Sequence, residues 1–200
     1  MKLTSVFTKA LIFAADLHKD QYRKGEPIPY LSHLLRVSGN AIEFGADEET
    51  AIAALLHDAV EDQGGMKTAD RIRSEFGDRV CDLVLACSDS TTAKEEEKLP
   101  WKDRKEDYIR RMKTESPDAQ LISACDKLDN LTCTARGFRK SGIDHFARFY
   151  GAREGKSPQH GRQNLAWYYR ELIAIFRIHY PDIAAELDRL WEETFLDEEK

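Results

Sequence analysis

The sequence predicts an all-α fold, and two observations carry that prediction. Apolar residues recur at three- and four-residue spacing along nearly the whole chain, and nowhere do alternating apolar and polar runs meet at hairpin turns. At 200 residues, with 42% hydrophobic and 33% charged residues, the chain has enough apolar material for one sizeable core. A single domain over residues 1–200 is expected, with no internal repeat and no interdomain linker.

The elements follow in order. Val6, Phe7, Ala10, Leu11, Ala14 and Leu17 mark a first helical stripe. Leu34, Leu35, Ser38 and Ile42 mark a second, which Gly45 is placed to end. Asp47 is a cap for a third helix, whose first turn carries Glu48 and Glu49, both favourable near the positive end of a helix dipole. Thr68 and Asp78 are starts for two short helices separated by Gly77. The stretch SDSTTAKEEEKLP reads as a mobile loop with a solvated charge run, and its place between helices makes a lid conceivable. Three helical patterns come next: WKDRKEDYIRRMK, PDAQLISACDKLDNLTCTAR and QNLAWYYRELIAIFRIHY. Pro181 stops the last of these before a final amphipathic helix, IAAELDRLWEETF. Trp167, Tyr168 and Tyr169 could stack on a base, but aromatic residues at helical spacing read first as core.

Charge and cysteine usage narrow the setting. A net charge of −6 argues against a general nucleic-acid binder. No apolar run approaches the roughly 20 residues needed to cross a bilayer, and the amino terminus shows no signal-peptide cleavage site. Cys81, Cys87, Cys125 and Cys133 form neither a CxxC pair nor a dense framework and read as small buried hydrophobes in a reducing compartment. A cytoplasmic protein follows.

The chemistry gathers in Ala53 to Gly65, AALLHDAVEDQGG. If the helix continues through it, Glu61 lies four residues after His57 and Asp62 four after Asp58, so four polar side chains share one broad face. Alone, such a dipeptide is a solvated helix end. The preceding Ala51–Leu56 segment, however, is apolar on nearly every side, which implies a helix buried all round. Polar groups continuing it need a partner that offsets their desolvation, and a divalent cation does so. His33, in PIPYLSHLLRV, and Asp126, in ISACDKLDNL, would complete a two-imidazole, two-carboxylate set with His57 and Asp58. Singly, His33 reads as a core histidine and Asp126 as the partner of Lys127 or an arginine. The set suits manganese, iron or zinc better than calcium, and the absence of thiolates argues against a structural zinc.

The order H…HD…D resembles the HD-domain metal-dependent phosphohydrolases. In detail the chain is similar to the RelA/SpoT-type hydrolases, which remove pyrophosphate from guanosine tetra- and pentaphosphate alarmones. QYRKGEPIPYLSH resembles the first motif of that family, ALLHDAVED the central one, and CDKLDNL the last, usually ADRLHN. The resemblance implies an HD-domain helical bundle with one manganese ion on His33, His57, Asp58 and Asp126. It implies that Glu61 and Asp62 set the nucleophilic water, that Arg23 lines the nucleotide pocket and that Asn130 touches the ribose. A metal acidifies its water and polarises the phosphoryl oxygen, so either Glu61 or Asp62 could accept the proton, with Glu61 favoured. Lys24, Arg36, Lys127 and Arg136 are further cations for the phosphates, each as readily an ordinary surface charge. There are departures from the pattern. Two residues are inserted between the Arg23–Lys24 pair and His33, the proline after that histidine is missing, and Asp129 and Lys127 replace a histidine and an arginine. These bear on the substrate, leaving another nucleotide or phosphate ester as the alternative and a non-catalytic sensor as a third. The chain has no room for the synthetase domain of the long-form proteins, so a small stand-alone hydrolase is expected.

Overall fold

The computed structural model describes residues 1–89, 99–149 and 157–196. Residues 90–98 of the segment read as a mobile, lid-like loop lie outside the described residues, while at its start Ser88 and the Asp89 side chain are buried rather than solvated. Among the described residues there is no strand; an isolated bridge pairs Tyr22 with Pro29. Among the described residues no helix is long and apolar enough to cross a membrane. The chain divides into two compact units, Met1–Cys125 and Asp126–Lys200.

The first unit is built around a helix that has no polar face. Helices α1 (Ser5–Leu17), α2 (Leu31–Glu43), α3 (Glu48–Leu56), α4 (Ala59–Asp62), α5 (Met66–Phe76), α6 (Asp78–Cys87) and α7 (Trp101–Met112) follow one another, and α8 (Pro117–Ser141) begins in it. Every residue of α3 from Thr50 to Leu56 is buried. α1, α2 and α6 pack against it. An α-helix that is apolar on all sides can only be covered on all sides, so α3 forms the centre of the unit.

Its start is fixed as the sequence implies. The Asp47 carboxylate accepts from Thr50 N at 2.9 Å, satisfying an orphan backbone donor, and Arg79 of α6 grips the same carboxylate at 2.9 Å. Asp47→Ala is therefore expected to lower unfolding stability by about 1 kcal/mol in urea titration, through the lost cap. Gly77 sits at φ 93° between α5 and α6, a conformation that resists a side chain.

Two helical faces differ from the expected stripes. α1 buries Ala10, Phe13 and Ala14, while Val6 is exposed, because Phe13 meets the Phe76 ring edge-on at 5.5 Å. α2 buries His33, Leu34, Val37, Ser38 and Ala41 and exposes Leu35. Apolar residues lie on two sides of this helix, and Ser38 Oγ, bonded to Ala51 O at 2.9 Å, helps fix the side that faces α3. α5 starts at Met66, two residues before Thr68, because the consecutive glycines Gly64 and Gly65 take positive φ and start the turn earlier.

In the second unit, α8 runs on to Ser141, a 3₁₀ segment covers Gly142–Arg148, and α9 (Pro158–Phe176) packs against α10 (Pro181–Phe195). Ser157 caps α9 by accepting from His160 N, with Pro158 at the first helical position. Tyr168 and Tyr169 are buried, as an aromatic core reading requires, and Tyr169 faces the Phe195 ring at 6.2 Å. Cys81 and Cys125 are buried, Cys87 and Cys133 are half-buried, and none of the four is disulfide-bonded.

Candidate active site

The helix does not continue through the HD pair. α3 ends at Leu56, His57 and Asp58 form a turn, and α4 restarts at Ala59. The cause is local. His57 Nδ1 lies 2.8 Å from Ala54 O, and a carbonyl can only accept, so Nδ1 carries the proton and takes a carbonyl at the end of the helix. In the neutral ring the other nitrogen, Nε2, then keeps its lone pair, and it points to Asp58 Oδ2 at 3.0 Å. This is the tautomer a metal-ligating histidine requires when its second nitrogen is held by a backbone carbonyl.

His33, entering from α2, brings its own Nε2 to 3.5 Å from the same Asp58 oxygen. The His33 and His57 rings meet edge-on at 5.1 Å, both buried. One potential ligand atom from each of His33, His57 and Asp58 falls within 4.8 Å of the others. Two imidazoles and a carboxylate so arranged fit a divalent transition metal by donor chemistry and spacing. Tyr30 adds a bond that orients the carboxylate, its hydroxyl donating to Asp58 Oδ2 at 2.6 Å. The fourth expected ligand, Asp126, belongs to the second unit, where its carboxylate accepts from Asn130 Nδ2 at 2.5 Å and pairs with Lys127.

The break after Leu56 also separates the carboxylates that a continuous helix would stack. Asp62 Oδ2 accepts from Gln21 Nε2 at 2.7 Å. The other end of that amide, Gln21 Oε1, accepts from Gln63 Nε2 at 2.6 Å and faces His18 Nδ1 at 2.7 Å. Asp62 can only accept when ionised, so the amide orientation and the His18 tautomer, protonated at Nδ1, are mutually consistent. Burial holds His18 below the ordinary histidine value, with the Gln21 bond and Asp58 pulling the other way. Its ring stacks on Tyr30 at 5.6 Å.

Glu61 turns elsewhere, towards Asp89. Desolvation of its carboxyl, reinforced by the neighbouring Asp89 charge, pushes it up to about 8. Asp89 is held well below the usual carboxylate range despite its own burial, by Lys105, by a hydrogen bond from Glu61 and by Arg104. The crowding in ALLHDAVED is thus resolved by three directions and one retained proton.

The loop before His33 carries the expected pocket cations. Arg23 N donates to Ile28 O at 2.8 Å, and its half-buried guanidinium lies 5.8 Å over the Tyr30 ring, so the side chain is tethered next to the residue that holds Asp58. Lys24 beside it is exposed. In the second unit Lys127 Nζ lies 5.8 Å over the Tyr168 ring. Sequence reasoning missed His18, Gln21, Tyr30 and Asp89. Gln21 and Tyr30 stand inside QYRKGEPIPYLSH and were accessible as polar residues within a motif, whereas Asp89 has no local signal.

Such a histidine–aspartate centre on a buried helical core defines a class, and the chain belongs to the HD-domain family, whose model matches residues 10–156. Among particular proteins, it is 32% identical over 172 residues to the mouse guanosine-3′,5′-bis(diphosphate) 3′-pyrophosphohydrolase MESH1, covering 82% of this chain and 91% of that one. It is 36% identical over 127 residues to the Aquifex aeolicus protein described as guanosine-3′,5′-bis(diphosphate) 3′-pyrophosphohydrolase, and there it spans 62% of this chain but 17% of the relative. A solved structure described as a metazoan ortholog of SpoT that hydrolyzes ppGpp superposes with a TM-score of 0.74 at 25% identity. The match covers 96% of this chain and 97% of the other.

Proposed function

We propose that this chain is a metal-dependent hydrolase that removes the 3′-pyrophosphate from guanosine tetra- and pentaphosphate, acting in the cytoplasm as one domain over residues 1–200. The observation that carries the reading is the His33–His57–Asp58 cluster with an acidic pair one turn further on, in a chain whose relatives bear that activity in their names. Four cysteines outside any disulfide suit a reducing compartment.

His33, His57 and Asp58 would hold the cation, with Asp126 as fourth ligand on the H…HD…D sequence pattern. Manganese is the proposed metal on the resemblance to the alarmone hydrolases, within a donor set that suits manganese, iron or zinc. Once bound, the cation supplies an acidified water and polarisation of the phosphoryl oxygen under attack. The protein's own groups do the rest. His57 is fixed in its ligating tautomer by Ala54 O, and Asp58 is aimed by Tyr30. Asp62, whose carboxylate accepts from Gln21, would receive the water's proton, while Glu61 holds a proton it can donate. Splitting a carboxylate pair into an ionised and a protonated member is how one site runs acid and base steps together. This reverses the sequence-based preference for Glu61 as base. Arg23, Lys24, Lys127 and Asn130 are proposed to receive the nucleotide, Arg23 foremost because it is already tethered beside Tyr30.

The test is pyrophosphate release from guanosine tetraphosphate by purified protein with manganese, beside a panel of other nucleotides and phosphate esters. Turnover of the alarmone, abolished by chelator, is the expected result. Turnover of some other ester alone would keep the metal chemistry and reassign the pocket, as the two-residue insertion before His33 would then explain.

A further inference from the structure

Asp89 lies outside every motif that points to the site, yet, whereas Asp62 is exposed, the Asp89 side chain is buried. Its side chain is 3% exposed, with Arg104 Nη1 at 2.7 Å from one oxygen and Lys105 Nζ at 2.5 Å from the other. Removing three charges from water is costly, and a pair of apolar residues would fill the same space more cheaply. The surroundings fix Asp89 rather than merely tolerate it. Arg111 Nη2 donates to Ser88 O at 2.9 Å, Ser88 Oγ donates to Val84 O at 3.0 Å, and Arg104 Nε donates to Leu99 O at 3.1 Å. Helix α7 thereby grips the chain on both sides of residues 90–98.

What this rigid carboxylate faces is Glu61. Asp89 N donates to Glu61 Oε2 at 3.2 Å, and the two carboxyls share a hydrogen bond. Two ionised carboxylates repel, so that bond needs one proton, and the cations on Asp89 settle it on Glu61. The charged groups acting on Glu61 are Asp89, Lys105 and Asp58.

We infer that Asp89, clamped by Arg104 and Lys105, is a positioning residue that holds the Glu61 carboxyl in one orientation, three residues beyond Asp58. The backbone N–H and the carboxylate of Asp89 both bond the Glu61 carboxyl, which restricts the rotamer freedom a glutamate otherwise keeps. Glu61 is thereby presented with its proton already in place. The inference rests on the hydrolase reading above for its consequence, though not for its geometry.

The experiment compares wild type with Asp89→Asn, loaded with manganese. The expected result is a fall in kcat of about ten- to a hundredfold, the range typical of lost orienting partners, with KM changed by less than roughly twofold and bound metal unchanged in native mass spectrometry. In a Glu61→Gln background the same substitution should add less than roughly twofold, because the group it positions is gone. A loss of equal size in both backgrounds, or loss of the metal, would show a merely structural role and overturn the inference. A substrate-free readout separates this outcome from failure of the hydrolase reading. Carbon-detected spectra of labelled side-chain carboxyls should show the Glu61 resonance displaced in Asp89→Asn, and an unmoved resonance overturns the inference even if no alarmone is hydrolysed. Should Asp89→Asn fail to fold, Lys105→Met removes one clamp and is expected to move the same resonance.

Discussion

Replacing Asp58 with alanine is expected to empty the site of its cation and to reduce pyrophosphate release by roughly a thousandfold or more, on the order of 4 kcal/mol of transition-state stabilisation, while the fold persists. Asp58 Oδ2 is the point on which the centre converges: His57 Nε2 at 3.0 Å, His33 Nε2 at 3.5 Å and the Tyr30 hydroxyl at 2.6 Å. Neutral imidazoles offer no negative charge to a divalent ion, so the loss of Asp58 takes away both a ligand and one of the two carboxylate charges proposed to hold the metal. The fold should survive because the Asp58 side chain is partly exposed and the α3 core before it is untouched. Native mass spectrometry reads the metal, pyrophosphate release reads the chemistry, and thermal melting reads the fold. Retention of the cation by Asp58→Ala with full activity would remove Asp58 from the centre altogether.

The features legible in the sequence were those written at short range. The 3.6-residue period predicts the helices, the unbroken apolar run of Ala51–Leu56 predicts that α3 is covered on all sides, and Asp47 and Gly77 mark helix limits that the structure keeps. The sequence grouped His33, His57, Asp58 and Asp126 on paper, and the ligand atoms of the first three do cluster. The break after Leu56 was not legible, because it depends on a side chain competing with the backbone for Ala54 O, and histidine is not among the residues that usually do so. The burial of Val37 over Leu35 in α2 was not legible either, since both are apolar and the choice depends on what α3 presents. Gln21 and Asp89 escaped for a third reason. They act on Asp62 and Glu61 from 41 and 28 residues away, and periodicity carries no information about bonds between distant elements. These two nonetheless give each member of the acidic pair its own partner, so the pair was readable as a pair but its separation into two environments was not.

That division has a consequence for stability. In metal-free protein, wild type is expected to lose stability relative to Glu61→Gln as the pH rises from about 4.5 to about 8. Glu61 is pushed up to about 8 from an ordinary value of 4.5 in the unfolded chain. Across that window the native state keeps a proton that the unfolded state has released, so raising the pH favours unfolding. Glu61's contribution is therefore complete below about 4.5 and gone above about 8. The shift sets an upper bound of ~5 kcal/mol, at ~1.4 kcal/mol per unit. Asp89 acts in the other direction and outside the window: its value is depressed, so its contribution is present above the ordinary aspartate range and fades only below it. His18 is also lowered, which makes stability rise with pH as the unfolded chain's histidine gives up its proton near 6.5. Because His18 is present in both proteins, the difference between them isolates Glu61. Glutamine is the right comparison, since its amide can donate to Asp89 as the protonated acid does and carries no proton to lose. Urea midpoints for the two proteins at pH 5, 6.5 and 8 in chelator give the difference directly, and parallel curves across the three would mean that Glu61 is ionised in the native state.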